Sequence, residues 1–188
     1  MNAPVIPPPV ELEDGRILLR PLGPDDAPAV FGAVVEDGDE LARWMMWVDA
    51  VRDVESTRLF LRERAEAWPR GEAFNFAILD GADGRLLGAC GLSQVNWAHR
   101  LANVLYWIRG AERGHGLAPA AVRLLAHFGL RHAALHRLEI LVEVPNLASQ
   151  HVAEKAGAQR EGILRGRINN RDQPRDAVMY SLLPGDLD

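Results

Sequence analysis

The 188-residue sequence predicts a single α/β domain built around a mixed, largely antiparallel sheet. Patterns typical of strands and helices follow one another as strand, three helices, three strands, helix, strand, helix and two strands. Strands that succeed each other through short turns favour antiparallel pairing, whereas a helix between strands permits a parallel pair. Because no internal repeat or linker interrupts this order, residues 1–188 are expected to form one domain with about seven strands.

The first third of the chain combines one strand with a helical region. Residues 1–14 begin with four prolines in ten positions and are expected to form an extended arm that is not packed. A strand is expected at 16–20, where Pro21 stops it. Three helices are then expected, and they lie at 24–35, from about residue 40, and at 53–68.

The remaining strands and helices have stronger patterns. The most apolar helical stripe runs through 116–130. A short helix is expected to begin after Asn146 as its N-cap and to end at Gly157. Alternating or apolar runs predict six further strands, at 74–79, 85–95, 102–108, 137–144, 160–168 and 176–183.

Composition excludes several classes of partner. The formal net charge of −5 argues against a basic surface for nucleic acid. No apolar run reaches the roughly 18 residues of a membrane span, and no signal peptide is expected at the N-terminus. One cysteine, Cys90, allows no intrachain disulfide and is expected in the core, so a cytoplasmic location is predicted.

The most informative segment is 113–118, with the sequence RGHGLA, between a strong strand and the strongest helix. Its glycines let the backbone approach a ligand closely. The first helical amides lack intrahelical partners and favour an anion, to which Arg113 adds a positive charge. The simpler alternative is a glycine turn that only begins a helix. The segment matches neither a Walker A loop nor the three-glycine dinucleotide motif.

Arg113, Gly116 and Ala118 resemble the coenzyme A signature of the GNAT superfamily, Arg/Gln-x-x-Gly-x-Gly/Ala. The chain is most similar to the RimJ/RimL-type ribosomal-protein N-terminal acetyltransferases, over roughly residues 16 to 183. The further segments that carry this resemblance occur in the same order, as Leu19-Arg20-Pro21-Leu22, Asp25-Asp26, Trp44 to Asp49, Tyr106-Trp107-Ile108, Asn146-x-x-Ser149, Glu154-Lys155-x-Gly157 and Glu161-Gly162.

The resemblance implies a GNAT fold with a V-shaped opening between the strands at 102–108 and 137–144. Acetyl-CoA would be the cosubstrate, with its pantetheine arm in the opening and its pyrophosphate on the amides of 114–118. Ordinary strand packing and helix capping are the alternatives for Tyr106, Trp107 and Asn146. The implied coenzyme contacts are Tyr106, Trp107, Ile108, Arg113, Gly114, His115, Gly116, Leu117, Ala118, Asn146 and Ser149.

The resemblance also places Ser149 beside the thioester, where it would protonate the departing thiolate; the alternative is a capping partner in the first helical turn. A general base is harder to find, because Asn103 stands where the family often carries a glutamate. Glu143 is the remaining candidate, with a solvated or salt-bridged strand residue as the alternative. An α-amine has a pKa of about 8 against ~10.4 for lysine, so more of it is neutral at pH 7. It therefore needs less help from a base to lose its proton, and it is the favoured acceptor.

Trp44 and Trp47 are three residues apart and are therefore expected on one face of a helix. The resemblance implies that this helix lines the acceptor site, where an aromatic ring can hold a cation and Asp49 can pair with an ammonium group. Core packing is the alternative for both tryptophans. No metal site is expected, since the spacings of His127, His132 and His136 cross a predicted helix end.

The sequence therefore predicts an acetyl-CoA-dependent N-acetyltransferase that acts on a primary amine by direct transfer in a ternary complex. The acceptor is a protein N-terminal α-amine or a small amine such as a polyamine or an antibiotic. A non-catalytic acyl-CoA sensor is the alternative from another class, motivated by Asn103. The proline-rich arm, the aromatic helix and the resemblance predict a homodimer.

Overall fold

An open, mixed sheet forms the centre of the structure, a computed structural model that describes residues 6–187. Its strands follow the order β1-β2-β3-β4-β5-β6-β8-β7, and every neighbouring pair is antiparallel except β5 and β6. This confirms the predicted mixed, mostly antiparallel sheet, with one more strand than expected. The eight strands of the described residues are β1 Leu12–Glu13, β2 Ile17–Pro21, β3 Phe74–Asp80, β4 Leu86–Asn96, β5 Leu101–Ile108, β6 Arg137–Glu143, β7 Gln159–Asn170 and β8 Gln173–Leu182.

The parallel pair opens along its length. Pairing of β5 with β6 covers only three positions, Leu101 with Arg137, Ala102 with Leu138 and Asn103 with Glu139. Beyond these positions β5 continues to pair with β4, and β6 with β8. The carboxyl-terminal halves of β5 and β6 therefore separate, and the predicted V-shaped opening is present in the fold.

Two layers of helices cover the two faces of the sheet. Strand β3 shows this division, because Phe74, Phe76 and Ile78 enter the larger core while Ala77 and Leu79 enter the smaller one. The larger core contains the predicted apolar stripe of α3, and the smaller core contains residues of α1 and α2. The four α-helices of the described chain are α1 Ala27–Trp44, α2 Val54–Glu66, α3 Leu117–His127 and α4 Leu147–Lys155. None of the helices within 6–187 is long and apolar enough to cross a bilayer.

The helical region before α2 differs from the prediction. Two helical segments joined at a kink make up α1, because Asp37 has the non-helical angles φ −142° and ψ 23°, and this agrees with the two helices predicted here. The difference lies at the end of the second segment. The helix ends at Trp44, Met45 is extended, and Trp47 lies in a separate 3-10 helix, Met46–Ala50. The expectation that Trp44 and Trp47 share a helix face is therefore wrong, because the extended residue between them breaks the helical period.

The proline-rich segment is packed at some of the positions that the structure describes. Pro7 is buried and its carbonyl accepts a hydrogen bond from Trp68 Nε1 at 3.0 Å. Leu12–Glu13 forms β1 against β2. The expectation that the arm is not packed is thus wrong at Pro7 and at β1, whereas Pro8 and Pro9 are exposed. The part of that expectation that falls on residues 1–5 lies outside the described residues.

Candidate active site

A cleft of about 460 Å³ is lined by the carboxyl-terminal end of β5, the signature loop, α4 and the end of α1. Ten of the eleven residues expected to contact the coenzyme line this cleft; the exception is His115. The imidazole of His115 faces the Glu112 carbonyl, and the His115 carbonyl accepts a hydrogen bond from Arg16. The ten that line the cleft are Tyr106, Trp107, Ile108, Arg113, Gly114, Gly116, Leu117, Ala118, Asn146 and Ser149.

The loop before α3 presents backbone amides at the mouth of the cleft. Gly114 and Gly116 have φ of 82° and 74°, angles that a glycine adopts without steric cost. Gly116 is the N-cap of α3 and gives no side-chain hydrogen bond to the first turn, so the amides of Leu117 and Ala118 keep their hydrogen-bonding capacity for a ligand. A Cβ atom built on either glycine would meet no atom within 4 Å. The helix dipole and the open space above the loop suit an anionic group.

Arg113 is held by the other layer of the domain. Its guanidinium pairs with Asp37, the residue at the α1 kink, and its Nε donates to the Ile108 carbonyl at 3.4 Å. A phosphate that binds Arg113 would therefore have to share this ion pair or displace it. Sequence patterns do not predict this contact, because it joins residues 76 positions apart.

Tyr106 and Ser149 meet inside the cleft. The Tyr106 hydroxyl lies 2.8 Å from Ser149 Oγ and 3.1 Å from the Ser149 carbonyl oxygen. Burial raises the pKa of Tyr106 to about 12, although the hydrogen bond to Ser149 opposes this rise. The phenol therefore stays protonated at neutral pH and can donate a hydrogen bond to the serine. When it does so, the proton of Ser149 Oγ is free for an acceptor in the cleft.

Asn146 and Ser149, at the start of α4, make different hydrogen bonds. Asn146 Oδ1 accepts a hydrogen bond from the Ser149 amide at 3.1 Å, which confirms the predicted N-cap. The Ser149 hydroxyl is bonded to Tyr106 instead, so the capping alternative for this side chain is wrong. The Tyr106 contact is the site feature that the sequence did not predict, since 43 residues separate the two hydroxyls along the chain.

Glu143 lies outside this cleft, in a neighbouring cavity of about 590 Å³ that shares Trp44 with it. Its side chain is buried, with the whole residue 9% exposed, and Oε1 accepts a hydrogen bond from Asn170 Nδ2 at 2.6 Å. No ion pair to Glu143 is found within 6–187, so the salt-bridged alternative does not describe it, and its contact with solvent is limited to the wall of this cavity. Its role as a base stays a prediction.

Asn103 ends the parallel pairing of β5 with β6. Its Oδ1 is buried and has no hydrogen-bond partner within the described chain. A carbonyl oxygen without a partner is costly in a protein interior. The amide thus leaves one acceptor at the apex of the opening, where the family often carries a carboxylate.

The residues expected to bind the acceptor do not form one cluster. Trp47 lines a third cavity of about 240 Å³ on the α1 and α2 side of β5. Trp44 borders the cleft that Tyr106 and Ser149 line, and its Nε1 donates to Glu40 at 3.1 Å. Asp49 is 62% exposed in its side chain and pairs with Arg171 of the β7–β8 turn at 3.1 Å. A role for Asp49 with an ammonium group would have to compete with that guanidinium.

The described residues include neither a group of side chains placed to hold a metal ion nor an exposed cysteine. No group of three histidine, cysteine or acidic side chains within 6–187 is placed to hold a metal ion. Cys90 is buried, as predicted, and burial raises the pKa of its thiol. A protonated thiol in the core is a poor nucleophile.

Comparison with known proteins agrees with this geometry. The family model described as "Acetyltransferase (GNAT) domain" matches residues 16–159. The "Probable N-acetyltransferase YjcK" of Bacillus subtilis is 32% identical over 177 residues, which cover 93% of this chain and 98% of that protein. The ribosomal-protein-serine acetyltransferase of Escherichia coli is 26% identical over 141 residues, 75% of this chain and 78% of that protein.

The fold also matches a solved structure of an acetyltransferase. The RimL ribosomal L7/L12 alpha-N-protein acetyltransferase in complex with coenzyme A superposes with a TM-score of 0.85. The match covers 95% of this chain and 100% of that chain at 22% sequence identity. At this identity the likeness establishes the fold.

Proposed function

Because the chain belongs to the GNAT acetyltransferase family and is an acyltransferase, we propose that it moves the acetyl group of acetyl-CoA to an α-amine at the N-terminus of a protein or peptide. The observation that carries the proposal is the hydroxyl pair of Tyr106 and Ser149 in a cleft that begins at unpartnered helix amides. The named relatives that act on ribosomal proteins support a protein acceptor.

The chain supplies two kinds of contact for the coenzyme. The amides of Leu117 and Ala118, with the dipole of α3, bind the pyrophosphate. The edge of β5 at Trp107 and Ile108 faces the opening and offers backbone groups to the amides of the pantetheine arm, which lies there like an added strand. Acetyl-CoA supplies the activated acetyl group, and the protein orients it.

Transfer proceeds directly within the ternary complex. The neutral amine attacks the thioester carbonyl carbon, a C–N bond forms, and the C–S bond breaks with its electron pair on sulfur. Ser149 donates its hydroxyl proton to that thiolate while Tyr106 passes its own proton to the serine oxygen, and the proton that the amine nitrogen loses returns through water to the phenol. Holding both reactants in one cleft contributes the remaining acceleration by proximity.

The amine loses its proton with little help from the protein. About a tenth of an α-amine with a pKa of about 8 is neutral at pH 7, so water can remove the proton. Glu143 is the acid nearest to the opening along β6, and its Asn170 partner fixes the carboxylate. Any part it takes is through water, because it lines the adjacent cavity.

The test is an acceptor panel with two readouts, release of the coenzyme thiol and the mass of the acceptor. We expect peptides with a free α-amine to be acetylated faster than the same peptides carrying only a lysine ε-amine. An N-terminally blocked peptide is the control. Faster acetylation of lysine side chains or of a polyamine would contradict the proposed acceptor. Thiol release that no acceptor increases, with no gain in acceptor mass, would contradict transfer.

A further inference from the structure

The cavity beside Trp47 is apolar and aromatic. Trp47 lies between Phe60, at 5.8 Å between ring centroids, and Trp107, at 5.6 Å. Leu105 and Met45 complete the part of the wall nearest the coenzyme cleft. At about 240 Å³ the cavity is smaller than the roughly 300–1,000 Å³ of sites for drug-sized molecules. It therefore has room for one large side chain.

This cavity adjoins the cleft in which the acetyl group would lie. Met45, Tyr106 and Trp107 line both spaces, so the two meet at β5 and at the end of α1. A group that fills the cavity consequently lies next to the amine that attacks the thioester. In a peptide with a free α-amine, that group is the side chain of the first residue.

Charge in the cavity disfavours a second ammonium group. No aspartate or glutamate is among its lining residues, and the only charged one is Arg64. The guanidinium carbon of Arg64 lies 4.9 Å from the centre of the Phe60 ring, so one aromatic ring of the wall already holds a cation. A polyamine would bring a positive charge toward this arginine without any carboxylate to offset it.

We propose that this cavity selects acceptors whose first residue carries a large, uncharged, apolar side chain such as leucine, methionine or phenylalanine. The inference rests on the proposed function, because it names the acceptor class of the same site. Trp47, Phe60 and Trp107 enclose the side chain, and Arg64 at the rim repels polyamines.

The test compares peptides that are identical except for a first residue of leucine, phenylalanine, serine or glycine, with spermidine as the polyamine. Burying a leucine-sized side chain is worth at least about tenfold in an equilibrium. We therefore expect kcat/KM for the leucine peptide to exceed that for the glycine peptide by about tenfold or more. A preference for the glycine or serine peptide, or for spermidine, would overturn the proposal.

Matched variants locate the preference. Phe60→Ala should reduce the leucine-to-glycine ratio by several-fold, whereas Leu59→Ala, at the exposed neighbour outside the cavity, should leave the ratio unchanged. Arg64→Glu should raise the relative rate with spermidine, and Arg62→Glu on the exposed side of the same helix should not. A ratio measured within one protein is insensitive to partial unfolding. Equal effects of a variant and its control would contradict the assignment.

Binding separates this inference from the proposed function. If no amine supports thiol release, the proposed transfer is wrong, and calorimetry still tests the cavity with N-acetyl-leucyl and N-acetyl-glycyl peptides in the presence of coenzyme A. Tighter binding of the leucyl peptide supports the apolar selection. Equal or weaker binding of the leucyl peptide rules it out.

Discussion

The hydroxyl of Ser149 lies 2.8 Å from the phenol of Tyr106, and this contact distinguishes a catalytic role from helix capping. The cap of α4 is made by the Asn146 side chain and the Ser149 backbone amide. Replacing the serine side chain therefore leaves the cap in place. The two roles that the sequence could not separate become separable by mutation.

Ser149→Ala should lower kcat by at least about tenfold, because an assisted proton transfer is typically worth ~10²–10⁴-fold. Affinity for acetyl-CoA and the melting temperature should stay close to those of the parent. Asn146→Ala is the control for capping and should cost about 1 kcal/mol of stability. Steady-state kinetics and thermal unfolding on each protein provide the measurement. A kcat of Ser149→Ala within twofold of the parent would show that Ser149 is not the acid.

The resemblance named the candidate site residues, but it did not name their contacts. Asn146 and Ser149 were singled out because the Asn146-x-x-Ser149 segment resembles the family, and both lie at the start of α4. The Tyr106 hydroxyl and the Asp37 carboxylate reach their partners only through the tertiary fold, across 43 and 76 positions. Glu143 was predicted from strand alternation, which says nothing of the Asn170 amide that covers it.

At the scale of elements, the loop before α3 holds the clearest test of coenzyme binding. Gly116→Asp should abolish the rise in melting temperature that acetyl-CoA produces, because its carboxylate would lie where the pyrophosphate binds. Gly116→Asn is the matched control, since asparagine has nearly the same shape, tolerates positive φ and carries no charge. We expect the asparagine variant to retain most of the shift. If acetyl-CoA raises the melting temperature of a folded Gly116→Asp protein as much as that of the parent, the pyrophosphate does not bind at this loop.

The closed end of the opening depends on an ion pair between β6 and β7. Arg137 donates two hydrogen bonds to Glu161, at 2.7 and 2.6 Å, and Ser181 of the intervening strand β8 donates a third at 2.7 Å. These bonds lower the pKa of Glu161 from 4.5 to about 2. A lowered pKa stabilises the fold above the unfolded value of about 4.5, and this stabilisation is lost as the pH falls toward about 2.

Glu161→Gln should therefore destabilise the protein by about 1 kcal/mol at pH 7, a value kept small because the pair is partly exposed. The difference from the parent should shrink as the pH falls from 4.5 to 3. Glu63→Gln, at an exposed position of α2, is the control and should change little at any pH. Urea unfolding at a series of pH values measures the effect. A difference that is constant with pH would show that the Glu161 carboxylate is not stabilised by Arg137.

The elements that the sequence predicted well are those with long, regular patterns. The apolar stripe of α3 and the alternation in β6 each reflect one buried face, so local pattern and tertiary packing agree. The extended Met45 after α1 and the two-residue strand β1 have no such signal. Both depend on tertiary packing. In the sequence alone, apolar residues continue at helical spacing through Met45, so the end of the helix at Trp44 is not visible there.

At the scale of the whole molecule, the fold itself explains why the site lies at the middle of the sheet. One parallel pair within an otherwise antiparallel sheet is the place where neighbouring strands can separate, because both strands keep a second partner, β4 or β8. The α1 and α2 layer and the α3 and α4 layer then reach the opening from opposite faces. A site between layers can receive two substrates from two sides, as direct transfer requires.

The predicted homodimer is a property of the whole molecule, and part of the proline-rich arm packs on its own chain, through Pro7 and β1. Exposed apolar side chains on the edge strand β7 offer another surface: Ile163 is 51% exposed and Leu164 is 37% exposed. Breaks in the β7–β8 register beside them disfavour continuous strand pairing with a second copy, so we expect side-chain packing across a two-fold axis.

Sedimentation at tens of micromolar protein should give a species of about 41 kDa, twice the 20.7 kDa of one chain. Ile163→Asp should return it to 20.7 kDa without loss of monomer stability, because the side chain is exposed within one chain and charge is disfavoured at the core of an interface. Val35→Asp, at a more exposed apolar position on α1, is the control and should remain dimeric. A parent protein that sediments at 20.7 kDa would exclude the dimer. A dimeric Ile163→Asp protein would place the interface away from β7.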